Sequence, residues 1–141
     1  MTLADLEQVC TIEEESFSDP WSEEDFRSAL LDEKNDYLVA EAKGQVAGYC
    51  GFWGVVGEGD IFNVAVKKEF RRQHIGEAML KELLRRGLAK GITSFTLEVR
   101  SSNEAAIRLY ESLGFVKEGI RKEFYSKPKE DAVIMWLNTI Q

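Results

Sequence analysis

Proline, cysteine and histidine are scarce in this chain: two prolines, two cysteines and one histidine among 141 residues. Cys10 and Cys50 have neither C-x-x-C nor metal-type spacing and read as reduced, buried thiols, which points to the cytoplasm. With His74 as the single histidine, there is too little ligand material for a zinc site, and no metal is expected. No apolar run approaches the roughly 18 residues that a bilayer span needs, so no membrane association is expected. The opening residues MTLADLEQVC are polar and acidic and do not read as a secretory or transit peptide. A net charge of −7 argues against nucleic acid as the main partner.

What the chain does contain is an ordinary soluble balance, 44% apolar and 30% charged residues, enough to bury one core. A single domain over 1–141 is expected, without repeats or linkers. Within the acidic total, KKEFRR (67–72) carries four positive charges against one negative. A basic island on an acidic protein suits a small anionic ligand there and a cationic partner elsewhere.

Apolar spacing predicts a helix over 3–17, broken by Ser18, Asp19 and Pro20. SEED (22–25) reads as a capping box opening a second helix to about Leu31. DYLVAEAKGQVAGYCGFWGVV reads as a hairpin around Lys43-Gly44, GEG (57–59) as a turn, and DIFNVAV (60–66) as a third strand. Gly57 and Gly59 imitate a dinucleotide fingerprint, but the third glycine and the following helix are missing. A helix then runs from Ile75 and ends at Gly91, followed by a strand over 92–100. A short helix opens at Ser102 or Asn103 and closes at Gly114. FVKEGI reads as a short strand, and EFYSKPKEDAVIMWLN as a final hairpin around 127–130. The expected class is α/β: a mixed sheet of about six or seven strands with about four helices, built on a strand–helix–strand crossover at its centre.

The crossover places RRQHIG (71–76) where a strand turns into a helix. A helix N-terminus presents amides with no partner and a partial positive charge, so it can hold a phosphate. No Lys-Ser or Lys-Thr follows a glycine-rich loop, so this is no P-loop, and a pyrophosphate gripped without being altered fits better than ATP or GTP hydrolysis.

Arg71-x-x-His74-x-Gly76 at this junction resembles the pyrophosphate signature of the GCN5-related N-acetyltransferases, the GNAT family. LEVRSSNEAAIRLYESLGF (97–115), FNVAV (62–66), DPWSEEDF (19–26) and YSKPKEDAVIM (125–135) resemble its RimI-like branch, which acetylates the N-terminal alanine of a ribosomal protein. The departure is His74, where the family has glycine. If that residue needs positive φ, histidine is strained; otherwise its amide binds and its side chain points outward.

The resemblance implies acetyl-CoA as acyl donor, held by Val64, Ala65 and Val66 of the strand, by Arg71, Arg72, Gln73, His74, Ile75 and Gly76 of the bend, and by Asn103. It implies Glu98 as general base and Tyr110 as general acid, with Tyr125 and Trp21 beside the acceptor. Each has a plainer reading: a strand carboxylate, a packed helix aromatic, a helix cap, a core tryptophan. The implied acceptor is a basic protein or peptide N-terminus, which an acidic surface would attract. A small amine, a lysine side chain, a non-catalytic acyl-CoA binder and a nucleotide-binding regulator are the competing readings.

Overall fold

The computed structural model describes residues 1–139. A 3-10 turn at Leu3–Asp5 leads into α1 (Leu6–Ser16), and α2 covers Glu23–Leu31. The strands are β1 (Asp36–Ala42), β2 (Gln45–Val55), β3 (Glu58–Val66), β4 (Ser94–Arg100), β5 (Val116–Ser126) and β6 (Lys129–Asn138). Helices α3 (Ile75–Ala89) and α4 (Glu104–Ser112) flank β4 in the chain. Within the described residues, the six strands form one sheet in the order β1-β2-β3-β4-β6-β5. All neighbours are antiparallel except β3 and β4, which the α3 crossover makes parallel.

Local chemistry explains the boundaries. Ser22 Oγ accepts from Asp25 N–H (3.2 Å) while Asp25 Oδ2 accepts from Ser22 N–H (2.9 Å), closing a capping box at the start of α2. Asn103 Oδ1 caps α4 by accepting from Ala106 N–H at 3.2 Å. Helices α3 and α4 stop at Gly91 (φ +85°) and Gly114 (φ +101°), the left-handed conformation glycine adopts at least cost.

The last part of the sequence differs from expectation. FVKEGI and the first arm of the final hairpin are one continuous strand, β5. It is irregular: Arg121 faces Ala132 and Tyr125 faces Glu130, so four steps on β5 match two on β6. Glu123 takes up the excess at φ +53°, and its N–H donates to Asp131 Oδ1 at 2.8 Å. The bulge interrupts the alternation that would mark a single strand in the sequence.

The two faces of the sheet are covered unequally. Helices α3 and α4 pack on one face over Phe52, Phe95, Leu97, Val99 and Met135. On the other face α1 and α2 cover the β1–β3 half through Leu6, Val9, Ile12 and Phe26. Among the described residues, the β4-β6-β5 half of that face carries no helix. Cys50 is buried, as expected, but Cys10 is only half-buried. Full burial of residues such as Leu80 and Leu83 on α3 is worth about 2 kcal/mol each.

Gly87 lets α3 lie close to the sheet. A Cβ there would sit 2.5 Å from Phe95 Cζ, in a ring that is fully buried and cannot retreat. Gly87→Ala is therefore expected to lower stability by roughly 1–3 kcal/mol, although alanine is the better helix former. Thermal or urea unfolding of the variant measures this.

Candidate active site

Strands β3 and β4 pair only from Glu58↔Ser94 to Ile61↔Leu97. Beyond that point β3 carries an extra residue: Cys50↔Val64 and Phe52↔Ile61 set three steps of β3 against two of β2. This bulge at 62–63 turns β3 away from β4 and opens a gap between them. Lys67 N–H donates to Ala47 O at 2.7 Å. Because antiparallel ladders alternate, Ala65 also directs its main-chain groups at β2, whereas Val64 and Val66 direct theirs into the gap. Of the three strand residues expected at the cofactor, Ala65 is thus committed to β2, and its side chain is buried on the α1 side.

The bend after β3 continues this line of free groups. The first main-chain bond of α3 is Ala78 N–H to His74 O (3.1 Å), which leaves the amides of Ile75, Gly76 and Glu77 without helical partners. Arg72 (φ +63°) and His74 (φ +60°) are both left-handed, and such reversals turn successive amides inward as an anion-binding concavity. Arg71 Nε donates to Val66 O at 3.0 Å and ties the bend to the end of β3. Arg72, Gln73 and His74 are exposed. Both sequence readings of His74 hold together: its backbone takes positive φ, and its side chain is 89% exposed, 3.6 Å from Glu77. A Cβ on Gly76 would make only ordinary contacts, 3.5 Å to Leu109 and 3.9 Å to Val66, so the fold itself would accept alanine there.

On the uncovered half of the sheet lies a cleft of about 1090 Å³. Its floor is Thr96, Glu98 and Arg100 of β4 with Ile134 and Trp136 of β6. One wall is the loop between α1 and α2, with Phe17 and Trp21; the other is the β5–β6 hairpin, with Arg121, Phe124 and Tyr125. The Glu98 side chain is 27% exposed, and its Oε2 is buried without a hydrogen-bond partner. Arg121 Nε lies 3.8 Å from that oxygen, an ion-pair distance but too long for a hydrogen bond. A carboxylate that lines a cleft and keeps an unfilled oxygen is suited to take a proton.

Tyr110 stands on the opposite side of β4. It is carried by α4 and buried in the α3–α4 core with Phe115, Leu97 and Val99, while Glu98 lines the cleft. Burial pushes its hydroxyl well above the usual phenol range. Tyr125 also rises, from burial first and the nearby Glu98 second. The Arg100 guanidinium sits 4.3 Å from the Tyr125 ring centre and donates to Pro128 O (2.9 Å) and Lys127 O (3.1 Å), holding the hairpin over the cleft. Trp21 joins both readings made for it: its ring packs on Phe26 at 5.2 Å and lines the cleft.

Sequence reasoning missed Glu13, Asn63, Arg100 and Arg121. Only Glu13 left a clear signal, a carboxylate at the spacing of the apolar stripe Leu6, Val9 and Ile12. Among the described residues no group of three His, Cys, Asp or Glu could hold a metal ion, and no helix is long and apolar enough to cross a membrane.

The family model of the acetyltransferase (GNAT) family matches residues 6–115, and the chain belongs to that family. Among its relatives, a putative [ribosomal protein bS18]-alanine N-acetyltransferase of Bacillus subtilis is 41% identical over 97% of this chain and 91% of the relative. The [ribosomal protein bS18]-alanine N-acetyltransferase of Escherichia coli K12 is 37% identical over 94% of this chain and 90% of its own length. The crystal structure of the ribosomal-protein-S18-alanine N-acetyltransferase from Escherichia coli superposes with a TM-score of 0.90 at 36% identity, covering 100% of this chain and 92% of that one.

The left-handed His74 yields a test. A non-glycine residue there costs about 1–2 kcal/mol, partly offset by the extra chain entropy of glycine. His74→Gly is expected to match or exceed the parent in thermal stability, while β-branched His74→Val falls below it by roughly 1 kcal/mol.

Proposed function

We propose that the chain transfers an acetyl group from acetyl-CoA to the α-amine of a protein N-terminus, the N-terminal alanine of a ribosomal protein. The observation that carries this is the gap between β3 and β4: inward-facing main-chain groups and an open row of amides line one side, and Glu98 stands on the other. The names of the relatives support the acceptor, and the cytoplasm is where ribosomal substrates are made.

These residues fit the cofactor. The amides of Ile75, Gly76 and Glu77, with Arg71 and Arg72 beside them, would hold the pyrophosphate, and Val64 would pair with the pantetheine arm through its main-chain groups, with Val66 next to it at the thioester. Asn103 remains available beside α4 only insofar as its capping bond to Ala106 allows. Bound acetyl-CoA supplies an acyl thioester with a thiolate leaving group.

Glu98 takes the proton of the arriving α-ammonium, through a water where direct contact is too long. That proton is held with a pKa of about 8, so a carboxylate base suffices near neutral pH. Val66 N–H, pointing into the gap, donates to the oxyanion that forms as the amine attacks. Tyr110, on the far side of β4, donates its phenolic proton to the departing sulfur. Base and acid on opposite sides of one strand suit attack from one face and departure toward the other. Tyr125 and Trp21 flank the acceptor's backbone.

Glu98→Gln and Tyr110→Phe are each expected to lower kcat by roughly 10²-fold or more while acetyl-CoA binding stays within a few-fold. An alanine-starting ribosomal peptide should be acetylated, and the same peptide with a blocked N-terminus should not. Equal transfer to both removes the α-amine reading in favour of a lysine acceptor. Acetyl-CoA should raise Tm and ATP should not.

The raised Tyr110 pKa sets a pH dependence. Burial keeps the phenol protonated above its ordinary value, so the acid form persists across the working range. The rate should climb as the acceptor amine loses its proton near pH 8 and then level off. A rate that instead declines between pH 8 and 9.5, in protein still folded by circular dichroism, contradicts Tyr110 as the acid. The same burial contributes stability that is complete below the unfolded phenol pKa of about 10 and is lost as pH rises toward the folded value.

A further inference from the structure

Glu13 is a carboxylate inside the fold, 2% exposed, that makes no ion pair among the described residues and has no role in the reaction described above. Burying a charge without a cation requires that its oxygens be filled by donors. Glu13 Oε1 accepts from Tyr49 O–H at 2.6 Å and from Asn63 Nδ2 at 3.3 Å. Its Oε2 accepts from Trp21 N–H at 2.9 Å and from Asn63 Nδ2 at 3.3 Å.

The donors come from three separate parts of the site. Trp21 ends the loop that forms one wall of the cleft. Asn63 lies in the bulge where β3 leaves β4, next to the cleft residue Phe62. Tyr49 is on β2 beneath both. Glu13 holds the loop at both ends, since its main-chain oxygen also accepts from Phe17 N–H at 3.0 Å. Residues 17–21 are therefore tied to Glu13 at both ends, and the same side chain anchors the bulge.

We propose that Glu13 is a positioning residue for the acceptor: it fixes residues 17–21 against the β3 bulge and so sets the wall along which the incoming peptide lies. This rests on the reading of the cleft as the acceptor site. The physical reason for a carboxylate is that two oxygens with several lone pairs can serve the loop amide, the bulge amide and the tyrosine together. A neutral side chain of the same size leaves at least one of them unfilled.

The test is steady-state kinetics with a synthetic alanine-starting peptide and acetyl-CoA, each varied in turn. Glu13→Met keeps the volume and removes every acceptor. Its peptide KM should rise about tenfold or more, the scale of a lost charge-assisted hydrogen bond, with acetyl-CoA KM within twofold of the parent. Glu13→Gln keeps one oxygen for the Trp21 amide and should fall between the two. Tyr49→Phe removes the shortest bond of the cluster but leaves the loop anchored, so it should lose stability with peptide KM within twofold. Three outcomes overturn the proposal: peptide KM unchanged in Glu13→Met, both KM values rising together, or Tyr49→Phe matching Glu13→Met.

Hydrogen exchange on the unaltered protein decides the case where Glu13→Met does not fold. The Trp21 amide should exchange at least about tenfold more slowly than those of Ser18 and Asp19. Equal rates overturn the proposal. A parent enzyme that acetylates no peptide at all would instead remove the acceptor reading, and the exchange result would still report on the Glu13 anchor.

Discussion

One extra residue in β3, at the bulge over 62–63, governs the rest of the site. Up to Ile61 and Leu97 the strand runs parallel to β4 and spends its hydrogen bonds there. After the bulge it stays bonded to β2 but no longer meets β4. Arg71 Nε fills Val66 O, and the remaining outward main-chain groups then need another partner, because an unpaired buried amide or carbonyl costs about 1–3 kcal/mol. A linear ligand carrying its own amides can meet that need by lying in the gap, as a substitute strand would. Past a 3-10 turn at Lys68–Phe70 comes the row of free amides at the start of α3, so polar main-chain groups stand at both ends of this stretch, Val64–Val66 and Ile75–Glu77.

Unequal coverage of the sheet adds the second half of the site. Helices α3 and α4 close one face, and α1 with α2 closes only part of the other. The remainder becomes the cleft, with alternate residues of β4 as its floor. That same alternation turns Glu98 to the cleft and Val99 to the core, where α4 brings Tyr110. Tight packing on the covered face keeps the Tyr110 ring in place. The polar clusters around Glu13 and Arg100 hold the walls of the open face, where apolar packing is thinner. Glu130 serves the same end: hydrogen bonds from Ser102, then Arg100 and Ser101, hold its carboxyl at about 2, so it stays ionised and keeps the β4–α4 turn against the hairpin.

Much of this was legible along the chain. The capping box at Ser22, the turn at Lys43-Gly44, the helix ends at Gly91 and Gly114 and the parallel crossover all stand where the sequence puts them; the turn expected over 57–59 lies at Val56-Gly57, with Glu58 and Gly59 already in β3 and paired to β4. The unity of β5 was not legible, because its bulge breaks the alternation and mimics two strands. Nor was Arg100, whose partners at Ser18, Lys127 and Pro128 lie far away in sequence.

By itself the sequence determined the elements other than β5, the crossover, the basic bend and the residue types offered for chemistry, since these follow from spacing and short-range hydrogen bonding. Tertiary structure alone decided which amides stay unpaired, on which side of β4 Glu98 and Tyr110 lie, and that Glu13 belongs to the cleft wall. Those outcomes depend on register and on contacts between distant segments, and a shift of one residue in β3 would reverse them without changing any local pattern.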